Sequence, residues 1–349
     1  LEQQRYRPDR PEWDRAVFGS GSFASGLAFI SEAPDHTEVQ QGEPLVGTTG
    51  WWFKCLIEDA GLRLADVYRT LALLCQPYGK GSELKGVDWT AVPCCRPSLF
   101  AEINWLVEQG VRVFVPMGAA AWTAIMPHAP TPFAAARGYV FPLDCIDGAA
   151  LAWAIPTLHP SPRNLRGDTM DGWTLVVNDI RKAARIAARG APEPAYTQRI
   201  FRPSVFQVEQ FFSGKPRPLV LDVENTQDGR LVCLGLSDGK RTLVIPFLVQ
   251  GGGSYWGLDT ERTVRACLGA RMADPAWPKI GQNLIHDDGV MKQNGLPVIG
   301  WVLDTMLAHH ACYPDQRHSL HHLGSLYEET EPWKPSAVRV ETTEPEGTT

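Results

Sequence analysis

Pro218-Leu-Val-Leu-Asp222-Val-Glu224-Asn225-Thr226 is a short apolar run that ends in two acids one residue apart. An apolar stretch of this length, bounded by turn-forming residues, reads as a buried strand. Side chains alternate along a strand, so Leu221 and Val223 turn inward while Asp222 and Glu224 share the other face. Two carboxylates on one face repel unless a cation lies between them, and hard oxygen donors favour Mg²⁺ or Mn²⁺. Far downstream, Gly281-Gln-Asn283-Leu-Ile-His-Asp287 offers a third carboxylate. Three such groups suit a two-metal site for phosphodiester cleavage, with Asp222, Glu224 and Asp287 as both metal ligands and catalytic residues.

Working outward, Ser204 to Phe212 reads as a helix ahead of this strand, with further strands at Leu231 to Leu236 and Thr242 to Pro246. Asp228-Gly229 and Asp238-Gly239 are hairpin turn signals, so the three strands form an antiparallel meander. Helices follow near Thr260 to Ala270, Asp288 to Asn294, Thr305 to His310 and Leu320 to Tyr327. Upstream the pattern changes. Strands at Leu27 to Ile30, Val67 to Leu74, Val111 to Pro116 and Leu151 to Ile155 alternate with helices at Trp51 to Ala60, Leu99 to Glu108, Ala119 to Ile125 and Thr174 to Ala188. That alternation implies a parallel sheet with helices on both faces. The reading is therefore α/β, a parallel-sheet α/β/α domain over 1–189 and a mixed-sheet domain over 204–335. Gly190-Ala-Pro-Glu-Pro194 opens a linker over 190–203, and the Glu-, Thr- and Pro-rich stretch over 336–349 reads as a disordered tail.

A chain of 349 residues fits two domains. Its net charge of −6 excludes a generally basic nucleic-acid binder. A nucleic-acid role must then rest on metal ions or on local patches, at Arg163/Arg166, Arg181-Lys182/Arg185/Arg189 and Lys215/Arg217. No stretch is long and apolar enough to span a bilayer, so no membrane is expected. Leu1 opens the chain without Met or a signal pattern, which reads as a fragment or a processed product. The eight cysteines show no disulfide-like regularity, which points to a reducing, cytoplasmic compartment. His309, His310, His318, His321 and His322 crowd together and invite a zinc reading. Adjacent histidines on a helix point apart, and no Cys-x-x-Cys completes a set, so they read as surface and capping residues.

Residues 204–335 resemble the 3′–5′ exonuclease domain of family A DNA polymerases, a DnaQ-like, ribonuclease-H-like fold. The resemblance is carried by Asp222-x-Glu224, by Asn283-x-x-x-Asp287, and by Val302-Leu-Asp304-Thr-Met-Leu-Ala-His-His310 followed by His318-Ser-Leu320. It implies Mg²⁺ or Mn²⁺ as cofactor, single-stranded DNA 3′ ends as substrate, Asn283 as support for the Asp287 loop, and Asp304 as a strand-ending structural residue. The family's third motif, Tyr-x-x-x-Asp, carries a fourth carboxylate. Only Tyr327 and Glu331 stand at that spacing, in a segment similar to the loop before the motif, so the chain reads as ending ahead of it.

Residues from about 15 to 189 resemble family 4 uracil-DNA glycosylases, through Ser31-Glu-Ala-Pro34, Gln41-Gly42-Glu-Pro44-Leu-Val-Gly47, Val67-Tyr68 to Pro77, and Leu158-His159-Pro160-Ser161. The resemblance places Glu32 near the scissile sugar, and His159 where it stabilises charge on the departing base. Leu45 stands where the family stacks an aromatic on uracil, Leu71 where an asparagine reads the base edge, and Asp35 where a glycine follows Pro34. Base selectivity is expected to be lost. Of the family's four iron–sulfur cysteines only Cys75 and Cys95 (or Cys94) have counterparts, too few for the cluster. The remaining Cys55, Cys145, Cys233, Cys267 and Cys312 read as ordinary thiols. The two domains in this order resemble the N-terminal region of phage-type family A DNA polymerases, which implies DNA as ligand and a polymerase domain or replication protein as partner. Alternatives are an active glycosylase for a damaged base and a non-catalytic accessory module.

Overall fold

A computed structural model of the chain describes residues 16–76, 92–129, 131–143, 152–165, 171–193 and 198–332. Cys145, Arg166 and the expected tail lie outside the described residues. The chain divides into two compact units, one drawn from Leu1–Glu193 and His321–Thr349, the other from Pro194–Leu320. The fold class is α/β, and each unit is built on a six-stranded sheet.

In the first unit the elements are β1 (Ser20–Gly21), β2 (Leu27–Ser31), α1 (His36–Gln41), α2 (Gly47–Asp59), β3 (Tyr68–Leu71), α3 (Val92–Glu108), β4 (Val113–Pro116), α4 (Ala119–Ile125), α5 (Phe133–Ala136), β5 (Phe141–Pro142), β6 (Trp153–Ala154), α6 (Pro162–Leu165) and α7 (Asp171–Arg189). The sheet order is β1-β3-β2-β4-β6-β5, with β2 parallel to both β3 and β4. Strand β2 is buried at every residue, which is why its sequence is a continuous apolar run. Ala28 and Ile30 enter a core with Leu99, Ile103 and Trp122, from α3 and α4. Leu27 and Phe29 face the other way, into Phe53, Leu56, Val176 and Ile180 of α2 and α7. Helices thus cover both faces, and the carboxyl ends of β2 and β4 meet at one edge, where parallel sheets place their sites.

The second unit holds β7 (Gln198–Phe201), α8 (Val205–Phe211), β8 (Leu219–Asn225), β9 (Leu231–Ser237), β10 (Arg241–Pro246), α9 (Leu258–Met272), β11 (Lys279–Gly281), α10 (Leu284–Gln293), β12 (Trp301–Asp304) and α11 (Thr305–Cys312). Its order is β12-β11-β8-β9-β10-β7. The expected meander is present, since β9 pairs antiparallel with both β8 and β10. Gly229 and Gly239 adopt positive φ (81° and 80°) at its two turns, a conformation that glycine reaches without strain. Strands β7 and β11 were not read from the sequence, and β12 only through the resemblance that made Asp304 strand-ending. Strand β7 lies inside the stretch read as a linker and pairs parallel with β10.

Helix α12 (Leu320–Tyr327) completes the list, and from His321 onward the chain belongs to the first unit. The sequence reading had kept this segment with the second domain. It is fastened by a buried polar network. Lys182 Nζ donates to the carbonyls of Gly138 (2.8 Å), Ser325 (2.7 Å) and Glu328 (2.7 Å). Arg137 donates to Asp179 Oδ1 (3.0 Å) and to the Ser325 hydroxyl, and Thr157 donates to Asp179 Oδ2 (2.7 Å). Glu329 pairs with Arg189 and Arg185.

Candidate functional site

The carboxylate site begins with the pleat of β8. Leu219, Leu221 and Val223 are buried, whereas Val220, Asp222 and Glu224 are exposed. Across the pair to β9, Gly235 lies opposite Asp222 and Cys233 opposite Glu224. Asp287 reaches the same place from the first turn of α10, and its side chain is buried. Burial and the neighbouring charges of Asp222 and Asp304 push its pKa up to about 6, while His286 and the Val223 N–H hold it down. His286 Nε2 shares a hydrogen bond with Asn225 Oδ1 (3.0 Å), tying α10 to the end of β8.

Carboxylate oxygens are the donor type that a hard divalent cation takes. Asp222 and Asp287 are close enough for one charge to disfavour the other, the situation that Mg²⁺ or Mn²⁺ relieves. Glu224 stands on the same open face. Among the described residues, no three His, Cys, Asp or Glu side chains are grouped tightly enough to hold a metal as they stand.

Asn283 stands at the start of α10. Its side chain makes no capping bond; its backbone takes the left-handed conformation (φ 60°) there. Asp304 accepts the Asn283 and Leu284 N–H groups (3.1 and 2.9 Å). Tyr327 and Glu331 belong to the first unit.

In the first unit, Glu32 follows β2 and accepts the Ala120 N–H (3.2 Å). Burial raises its pKa. Gly118, after β4 at φ 97°, makes room for it, since a Cβ there would lie 2.4 Å from Glu32 Oε1. His159 Nε2 shares a hydrogen bond with Ser31 Oγ (3.1 Å), and burial depresses its pKa to about 4, so the imidazole is neutral. Ser31 is a polar partner to which sequence reasoning gave no role, although it opens the quoted Ser31-Glu-Ala-Pro34 motif.

The remaining pocket positions are closed. Leu71 is fully buried against Val17 and Val39. Leu45 is buried in the core beneath α2, at φ 54°, with its N–H donated to Glu38 Oε1 (2.6 Å). Asp35 caps α1 in a reciprocal capping box with Glu38. Cys95 packs in the core with Leu99, Cys94 is exposed and Cys75 is half-buried.

Two other sequence readings change. The basic residues of α7 hold the returning segment, apart from Arg181, which donates to the Asp59 carbonyl (2.7 Å). Arg217 binds Asp238 (3.0 Å) and lies over the rings of Phe211 and Trp277. The histidines are not all superficial. His309 is buried, and His318 bridges it to His310 through opposite ring nitrogens (2.8 and 3.0 Å). Opposite nitrogens of one ring do not converge on a single ion.

Residues 18–179 match the Uracil DNA glycosylase superfamily. The chain is 28% identical over 167 residues to the Type-4 uracil-DNA glycosylase of Thermotoga maritima, covering 48% of this chain and 80% of that one. It is 39% identical over 61 residues to the Type-4 uracil-DNA glycosylase of Archaeoglobus fulgidus, covering 18% of this chain and 31% of that one. Among solved structures it is similar to Brucella melitensis NrnC with bound Mg²⁺, at 16% identity and a TM-score of 0.27, over 37% of this chain and 59% of that one. No described helix is long and apolar enough to cross a membrane.

Proposed function

We propose that the second unit is a metal-dependent 3′–5′ exonuclease of the proofreading type, acting on single-stranded DNA 3′ ends. It is joined to a uracil-DNA-glycosylase-like unit that no longer selects uracil. The observation that carries this reading is the meeting of Asp222 and Asp287, with Glu224 on the same strand face. When bound, Mg²⁺ or Mn²⁺ would supply Lewis acidity and offset the charge of the phosphodiester. Asp222 and Asp287 would hold the ion, with Glu224 beside them. The chain keeps these acids together despite their repulsion. The Val223 N–H holds Asp287, and the hydrogen bond between His286 and Asn225 fixes the helix that carries it.

With a net charge of −6 on the chain, the bound ion would be the main attraction for DNA. A polymerase domain is the partner that such a module serves, in the arrangement of a phage-type family A polymerase. The test is a 3′-labelled single-stranded oligonucleotide incubated with Mn²⁺ or with chelator, beside Asp222→Ala. Metal-dependent loss of label that disappears in the variant supports the reading; equal loss in both sinks it.

One pair of observations favours a second activity. Neutral His159 and buried Glu32 are groups that a base-excising site would use. That reading predicts abasic sites formed without metal and abolished by Glu32→Ala. The apolar closure at Leu45 and Leu71 favours instead a first unit that contacts DNA or a polymerase without cleaving anything.

A further inference from the structure

Asp304 ends β12, and its carboxylate faces the beginnings of two helices. Oδ1 accepts the N–H groups of Met306 (2.9 Å) and Leu307 (3.3 Å), which is ordinary N-capping of α11. The same oxygen accepts the Asn283 N–H (3.1 Å), and Oδ2 accepts that of Leu284 (2.9 Å). These two amides open α10, whose own cap residue provides no side-chain bond. Two helix starts therefore converge on one acid, where the positive ends of both dipoles favour it.

The neighbouring residue strengthens the joint. The Thr305 hydroxyl donates to the Gly281 carbonyl (3.2 Å) and to Gln282 Oε1. The end of β12 is thus fastened to the end of β11, just before the chain turns into α10. Asp287 stands one turn along that helix.

We propose that Asp304 is the positioning residue of the carboxylate site: by fixing how α10 leaves the sheet, it sets Asp287 against Asp222 without itself touching metal or substrate. The proposal rests on the nuclease reading for its consequence, though not for its geometry.

The test uses the full chain. Asp304→Ala is expected to weaken Mn²⁺ binding, read by titration calorimetry, by about 10- to 100-fold. The fall in kcat is expected to be of similar size, with KM for the oligonucleotide little changed. Asp304→Asn keeps an acceptor for Asn283, Met306 and Leu307 but turns an NH₂ toward Leu284, so its loss is expected to be smaller. A residue that served stability alone would lower the melting temperature and leave the affinity of the folded fraction unchanged. Hydrogen exchange at the Asn283 and Leu284 amides is followed in parallel and is expected to quicken in both variants.

Wild-type Mn²⁺ affinity together with wild-type protection over residues 283–287 in Asp304→Ala overturns the proposal. If the wild-type chain neither binds Mn²⁺ nor cleaves DNA, the nuclease reading falls and exchange alone decides. Lost protection over 283–287 then supports the positioning role, and retained protection refutes it. Should Asp304→Ala not fold, the same readouts apply to Asp304→Asn.

Discussion

Asp287 binds its proton more tightly when folded than when unfolded, because burial and two neighbouring acids lift its pKa from 3.8 to about 6. The stabilising contribution of that proton is complete below the unfolded value and is lost as the pH rises through about 6. A cation competes with the same proton, so Mn²⁺ affinity should climb between roughly pH 5 and pH 7 and level off above. Asp222→Asn removes one of the charges that raise Asp287, and the midpoint of residual binding should move to lower pH. Calorimetric titration at several pH values checks both statements, and a flat profile would contradict the assignment. Leu71 offers a prediction in the other unit. It is fully buried beside Val17 and Val39, so Leu71→Asn would place an amide where no partner waits. Restoring the family's residue type should therefore cost about 2 kcal/mol or more, without creating uracil release. Urea unfolding and a uracil-containing oligonucleotide read the two halves of that expectation. The positions themselves were legible in the sequence, because Asp-x-Glu on a strand has only one way to face. What could not be read was burial. Nothing near Leu45 or Leu71 announces that Val17 and Glu38 close over them.

At the scale of elements, legibility followed locality. Strand β8 and helix α4 stand out from their own periodicity and turn residues, and both were found within two residues of their bounds. Strand β7 was hidden because Gln198-Arg-Ile-Phe201 is largely exposed and shows no alternation. Strand β11 has three residues, too few for a pattern. Helix α10 begins at Leu284 rather than near Asp288 because its opening amides are capped from β12, about twenty residues later. The basic run of α7 misled for the same reason, since its partner Glu329 lies 140 residues beyond Arg189. This clasp is testable. Lys182→Met removes a charged donor from three buried carbonyls and keeps most of the side-chain volume. It should lower the stability of the first unit by about 3 kcal/mol and open the segment around Glu328 to protease. Limited proteolysis compared with wild type reads the second effect. An unchanged cleavage pattern would show that α12 is held by packing alone.

At the scale of the whole molecule, the chain leaves the first unit after Glu193 and rejoins it at His321, so the first unit is built from two stretches of sequence and the second from the one between them. Cutting the chain after Leu320 removes the partners of Lys182, Arg137, Arg185 and Arg189 while leaving Pro194–Leu320 intact. Lys182 and Arg137, both buried, would then each lose hydrogen-bond acceptors, a situation costlier than never having buried those charges. The hydrogen bonds of Asn283, Leu284 and His286 run to Asp304 and Asn225, all within the second unit. Truncation should therefore lower the unfolding temperature of the first unit alone. Mn²⁺ supplies the complementary probe, because the proposed function puts it on the carboxylates of the other unit. At a hundredfold excess over its Kd it should stabilise that unit by about 2.7 kcal/mol and leave the first unaffected. Differential scanning calorimetry of the full and truncated chains, each with and without Mn²⁺, separates the four cases. Should truncation abolish the Mn²⁺-responsive transition instead, the returning segment would have to support the nuclease unit, and the division of the chain at residue 320 would be the wrong one.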